Sequence, residues 1–338
     1  MITRMLSIRP EGEPVAHPAG FSLFVLIAVV SGLCVPQHAA ARDAQAVVAS
    51  VHSEHTVLTR GVLTSRKVHP LGRLDYRVVA RMLDRAAMIA TDNTRIAEAW
   101  GDVVSGADRV GILYDAQLPA ASLVLLDVVV DRVVRAGVRP ANIVIWSDSE
   151  RSLFSAGISL RSDAGGVRVV GADSAGFRDG VTRVVLDDCD VLINVARLRP
   201  DAKVGMRGAV TNQLSSLPSV DRVAALQNPD SLAAGPSRPV IRLKFKLHIL
   251  DAFQPNYDFG PVDMPPHWDC GRLLVSRDPV ALDCAGLALL QAKRDEVKGA
   301  PWPLDPQPAY LQTADTRFRL GHSDPGKYVV VTSEINGS

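Results

Sequence analysis

RVGILYDAQLPAASLVLLDVVVDRVVRAGVRPANIVIWS, residues 109–147, contains one complete strand, helix and strand unit. Val110 to Tyr114 is a continuous apolar run of the length of a buried strand, and NIVIWS, residues 142–147, is a second. Between Ala121 and Ala136 the apolar residues return at helical spacing, and Gly137 supplies the stop because glycine takes up the left-handed backbone of a helix end. Strands separated by helices imply parallel pairing, with helices covering the faces of the sheet.

The same alternation extends in both directions. Val78, Val79, Met82, Leu83, Ala86 and Ile89 form one face of a helix over Tyr76 to Ala90, capped by Asp75. Towards the C-terminus, VRVVG (167–171), VLINV (191–195), GRLLVS (271–276) and YVVVT (328–332) read as strands, and VIRLKFKLHILD (240–251) as a longer strand with one wetter face. Asp278-Pro279 opens a helix through Lys298, with aspartate as N-cap and proline at the first position. Residues 42–74 show little periodicity and read as an extended arm. The expected fold is α/β, a mostly parallel sheet flanked by helices, in a single domain over residues 75–335.

The chain has 338 residues, 47% of them apolar, which excludes disorder, collagen-like repeats and a small disulfide scaffold. A net charge of +1 with no concentrated basic face argues against nucleic acid as a partner. The bases are lopsided, seven lysines to thirty arginines. Residues 1–41 read as a signal peptide: Phe21 to Val35 is uncharged and apolar, Arg4 and Arg9 precede it, and Ala39-Ala40-Ala41 supplies the small residues of a cleavage site. Export to the periplasm or exterior follows, with no stable membrane span after cleavage; an uncleaved anchor is the alternative. Cys189, Cys270 and Cys284 then remain, without a C-x-x-C spacing, so no iron–sulfur or zinc-thiolate motif is present.

Nucleotide, dinucleotide, hydrolase-elbow and zinc-protease motifs are absent as well. What remains is positional: ligands of open α/β sheets sit beyond the carboxyl ends of the strands. Asp115, Asp148, Asp173, Asp251 and Asp278 all follow or end strands. Converging carboxylates bind a divalent cation such as Mg²⁺ or Ca²⁺, or act as acid and base on a small polar ligand. Asp148 and Asp278 precede helices and suit N-cap roles, whereas Asp115 and Asp251 lead into loops and are the candidate catalytic pair. Arg199, in Arg197-Leu198-Arg199 after VLINV, suits an anionic group, and His267, in a loop, suits proton transfer to a ligand.

Together VGILYD, NIVIWSDSE, DCDVLINVARLRPDAKVGMRGAVTNQ, ILDAFQPNYDFGP and LLVSRDPVALDCAGLALLQAKR resemble the family numbered 362 among the domains of unknown function. LLVSRDPVALD, residues 273–283, is the most specific piece, and Asn194, Asn212 and Gly260-Pro261 also match. The resemblance implies a bacterial or archaeal protein, often exported, in a family some of whose members carry an iron–sulfur module. It makes Asn194 and Asn212 ligand-orienting residues. It also exposes departures: Leu113 and Thr211 stand where the family commonly has lysine, Asp115 where it has asparagine, Asp201 where it has histidine and Gln254 where it has arginine. Two functions fit, an exported enzyme acting on a small polar ligand and a non-catalytic binding or accessory protein. The two are told apart in space: the site of the first requires Asp115, Asn194, Asn212 and Asp251 to meet at one cavity.

Overall fold

A computed structural model describes residues 45–336 except 60–61, 65–66, 70–72, 118–121, 163–164 and 260–266. Residues 1–41, expected to be a signal peptide, and the Gly260-Pro261 pair lie outside the described residues. The central sheet has eight strands: β1 Ala46–His52, β2 Val110–Tyr114, β3 Ile143–Ser147, β4 Arg168–Gly171, β5 Val191–Arg197, β6 Phe245–Ala252, β7 Arg272–Ser276 and β8 Tyr328–Glu334. Their spatial order is β8-β1-β7-β6-β5-β2-β3-β4. Every neighbouring pair is parallel except those of β7, which runs against both β1 and β6.

Helices cover both faces. Helix α1 (Tyr76–Ala90) begins at Asp75, whose Oδ1 accepts the amides of Arg77 (2.7 Å) and Val78 (3.1 Å). Helix α2 (Leu123–Arg135) begins at Ser122. These two lie on one face, where Val79, Leu83, Leu125, Ile112, Ile193 and Val275 share a core. Helix α3 (Glu150–Ser155) joins that face through Leu153. The opposite face packs Leu113, Trp146, Leu192 and Leu250 under α6 (Pro279–Lys298) and the shorter elements α4 (Ala209–Asn212), α5 (Ser219–Gln227) and α7 (Tyr310–Thr316). Burying apolar surface is worth about 25 cal/mol per Å², so the two covered faces of the central strands are the main stabilising feature. Among the described residues no helix is long and apolar enough to cross a membrane.

Two expectations need correction. Ala46–His52 is not part of an extended arm; it pairs with β7 on one side and β8 on the other. Its partners lie more than 200 residues away, so local periodicity carries no trace of them. The segment 240–251 is not one strand with a wet face. Pro239–Arg242 is a helical turn, β6 starts at Phe245, and only Lys246 in it is exposed, because β6 lies between β5 and β7 with both faces covered.

From β2 the chain moves outward to β3 and β4 on one side, then returns to β5 and β6 on the other. The loops that follow β2 and β5 therefore diverge, which opens a crevice at the carboxyl ends of these two strands.

Candidate functional site

Asp115 follows β2 directly and is buried. Arg199 stands on a short hairpin after β5, in which Arg199–Asp201 pairs with Gly205–Arg207. The Arg199 Nη2 donates to Asp115 Oδ1 at 3.4 Å. Asp115 and Arg199 line a cavity of about 30 Å³ together with Arg207, Asn212, Ser215 and Arg222. The wall thus carries three guanidinium groups, on Arg199, Arg207 and Arg222, against the single carboxylate of Asp115. Each guanidinium is aimed by a different acid: Arg207 Nε binds Asp201 Oδ2 at 2.6 Å and Arg222 Nη2 binds Asp148 Oδ2 at 3.3 Å. Burial alone would raise the Asp201 carboxyl, but Arg207 and the amides of Lys203 and Val204 outweigh it and hold that carboxyl below its ordinary range. The arginines are thereby fixed before any ligand arrives.

Asn212 and Asn194 meet through their side-chain amides. Asn212 Nδ2 donates to Asn194 Oδ1 (2.8 Å) and to the Val195 carbonyl (3.3 Å), so its amide hydrogens are spent inward while the residue lines the cavity. Asn194 lies behind it, fully buried, giving Nδ2 to the Ala209 carbonyl at 2.8 Å and meeting His248 Nδ1 at 3.2 Å. Burial pushes the His248 imidazole down to about 3, which keeps it neutral. Nδ1 then serves as acceptor and orients the whole amide chain towards the cavity.

Asp251 does not reach this cavity. Residues alternate across a strand, so Asp251 and its register partner Arg197 face the α1/α2 side while Asn194 and His248 face the other. Its Oδ2 accepts the Ser122 amide at 2.8 Å and its Oδ1 that of Phe253 at 3.0 Å, fastening the start of α2 to the end of β6. Burial raises its carboxyl, with Arg197 opposing. His267 is half-buried, bridges Asn256 through the backbone and is absent from the cavity wall. Asp148 is not the cap of α3; Ser149 fills that place, accepting the Ser152 amide, which frees Asp148 for Arg222. Asp278 is an N-cap, and Asp173 accepts the Glu150 amide at 3.0 Å. Among the described residues no three histidine, cysteine or acidic side chains stand together as a metal site. Cys189, Cys270 and Cys284 are free thiols.

Arg207 and Arg222 escaped the sequence reading. Arg222 sits on a helix with no fully buried residue, 74 positions from its partner Asp148, and no spacing connects the two. Arg207 was within sight, since VGMRGAV already belonged to the family-like segments. The family positions without lysine acquire a meaning here. Leu113 is buried in the core beside Trp146, and Thr211 Oγ1 accepts the Gly208 amide at 2.9 Å to start α4, so positive charge reaches the cavity only from arginines.

No curated protein matches the chain. Among solved structures, it is similar to a crystal structure of a protein from Thermotoga maritima at 12% identity and a TM-score of 0.34. That similarity covers 58% of this chain and 54% of the other, so the chain spans about half the length of that relative. A family model described as a domain of unknown function, DUF362, matches residues 161–288, from just before β4 to the middle of α6. The matched region includes Asn194, Arg199, Arg207, Asn212 and Arg222 and leaves out Asp115 and Asp148. Residues 161–288 thus match the model of the family that the sequence resembles, the domain of unknown function DUF362.

Proposed function

We propose that this chain is an exported α/β protein that takes up a small polar ligand bearing a carboxylate or phosphate group at the carboxyl ends of its parallel strands, and that Asp115 is its acid or base. One observation carries the reading: three arginines, each already oriented by its own carboxylate, face one cavity where β2 and β5 diverge. About 30 Å³ suffices for a water molecule and not for a whole ligand, so α5, which brings Arg222 and Leu226 to the wall, has to move outward on binding. The preceding turn supports such a second arrangement. Gln213 and Ser216 share one face of it, and their buried Oε1, Nε2 and Oγ make no hydrogen bond among the described residues.

A non-catalytic binder is the second reading. It is favoured by the wall holding a single carboxylate, tied to Arg199, with Asp251 fastened elsewhere. Calorimetric titration of the protein with phosphate, sulfate and small carboxylates tests the site. Arg222→Gln is expected to weaken anion binding about tenfold or more, whereas Asp115→Asn keeps binding and abolishes any turnover found. Binding unchanged by Arg222→Gln, or no anion bound at all, overturns the reading. Export, with cleavage after Ala41, is tested by N-terminal sequencing of the protein from the extracytoplasmic fraction. The expected first residue is Arg42, and an intact first forty residues would instead mean an anchor.

A further inference from the structure

β7 runs opposite to its neighbours, so its carboxyl end lies where β6 and β8 begin, at the edge of the sheet remote from Asp115. An open cleft of about 1120 Å³ lies there. It is organised around Asp278, whose Oδ1 caps α6 through the amides of Val280 and Ala281, both at 2.9 Å. The other oxygen, Oδ2, accepts from the His322 backbone amide at 2.9 Å and from His322 Nδ1 at 2.7 Å. Gly321 permits this approach, because a Cβ there would collide with the Asp278 carboxylate. In a neutral imidazole, Nδ1 donating to a carboxylate leaves Nε2 as an acceptor. The His322 side chain is 43% exposed and lines the cleft.

The charges around it are unevenly committed. Asp315 accepts from the Ser323 amide (2.8 Å) and hydroxyl (3.0 Å), and Asp324 accepts from the Gly326 amide (2.9 Å). Arg277 is engaged with Asp102. Arg319 and Lys327 line the cleft as well, and among the described residues neither makes an ion pair. Leu311 and Leu320 add an apolar wall.

We propose that this cleft binds a small hydroxylated organic anion, its oxyanion held by Arg319 and Lys327, its hydroxyl donating to His322 Nε2 and its apolar body resting on Leu311 and Leu320. The cleft is far larger than an inorganic ion, and a fixed acceptor nitrogen beside two unpaired cations matches a ligand that carries a donor next to its negative charge.

Calorimetry on the full chain with mandelate and phenylacetate, which differ only in the hydroxyl, tests this. Mandelate is expected to bind about tenfold tighter or more, since a site built to accept a ligand hydroxyl discriminates against its absence. His322→Ala removes that preference. Arg319→Asn weakens both ligands about tenfold; Arg319 has φ 49°, a left-handed backbone that asparagine adopts readily. Arg222→Gln leaves the preference for mandelate over phenylacetate unchanged, which separates this cleft from the arginine cavity. Hydrogen phosphate and sulfate serve as inorganic probes in the Arg222→Gln variant, and phosphate bound there more tightly than mandelate overturns the assignment to an organic ligand. Equal affinity for the two acids, no binding of mandelate, a preference that survives His322→Ala, or binding untouched by Arg319→Asn also overturns it.

Discussion

The Asp283 carboxylate, in the second turn of α6, accepts the backbone amides of Ala209 at 2.6 Å and Val210 at 2.9 Å and so caps the short helix α4 from across the core. Two family-like segments, VGMRGAV and LLVSRDPVALD, are joined by this contact. Gly208 belongs to it as well, because a Cβ there would collide with the same carboxylate. Asn212 ends α4, so its position at the cavity depends on Asp283, which lies 74 residues beyond Ala209 in the chain.

Asp283→Ala strands two buried amides and is expected to cost about 2–4 kcal/mol. Gly208→Ala is expected to cost about 1–3 kcal/mol through overpacking. With the carboxylate gone the added methyl has room, so the double variant should lose less than the sum. Urea unfolding of all four proteins checks this, and strict additivity would show that the two residues do not meet.

His248 and Asp283 bend the pH dependence of stability in opposite directions. His248 is held neutral, its pKa lowered to about 3 by burial, so its contribution is present above about pH 6.5, the value of the unfolded chain, and is lost as pH falls towards 3. Asp283 is pushed up to about 7 by burial, so its contribution is present below its unfolded value and is lost as pH rises through 7. His248→Asn retains an acceptor for Asn194 and removes the titration. The stability of the wild type relative to this variant should rise between pH 3 and 6.5, by at most about 1.4 kcal/mol per unit. A flat difference would mean that the imidazole is not buried neutral.

Arg132 ties α2 to α1 through a bidentate pair with Asp84, Nε to Oδ1 at 2.6 Å and Nη2 to Oδ2 at 2.9 Å. Lysine cannot reproduce the fork. Arg132→Lys should cost about 1–2 kcal/mol, the range for a hydrogen bond to a charged group, read as a lowered midpoint in thermal melting. An unchanged midpoint would reduce the pair to a surface contact.

The three described thiols should be inert. Burial pushes Cys189 and Cys284 up to about 12 and Cys270 up to about 11. A chromogenic disulfide reagent at pH 8 should label the native protein about 100-fold more slowly than glutathione, given how little thiolate is present. All should react once the chain is unfolded. Rapid native labelling would show that one of these thiols is reached by solvent.

Strand and helix existence was legible wherever a segment carried its own signal, helical spacing or caps at Tyr76–Ala90 and Pro279–Lys298 and an unbroken apolar run at Val110–Tyr114. β1 was not, because AVVASVH is short and its meaning lies in pairing with β7 and β8. Within the candidate site, Asp115, Arg199 and Asn212 were recognisable from their places after strands and from the family-like segments, and they do line one cavity. Asp251 shared the same positional signal but points to the opposite face, a distinction set by the parity of its strand register. His322 had no local signal, since its role depends on Asp278, 44 residues earlier.

The placement of β1 between β7 and β8 also constrains how the molecule is made. A chain emerging from the ribosome exposes both edges of β1 until residues 272–334 have been synthesised. Contacts this distant in sequence form late and slowly. A nascent chain that lacks its last sixty or so residues therefore cannot close its sheet. The two ends of the chain must therefore meet before the fold can lock.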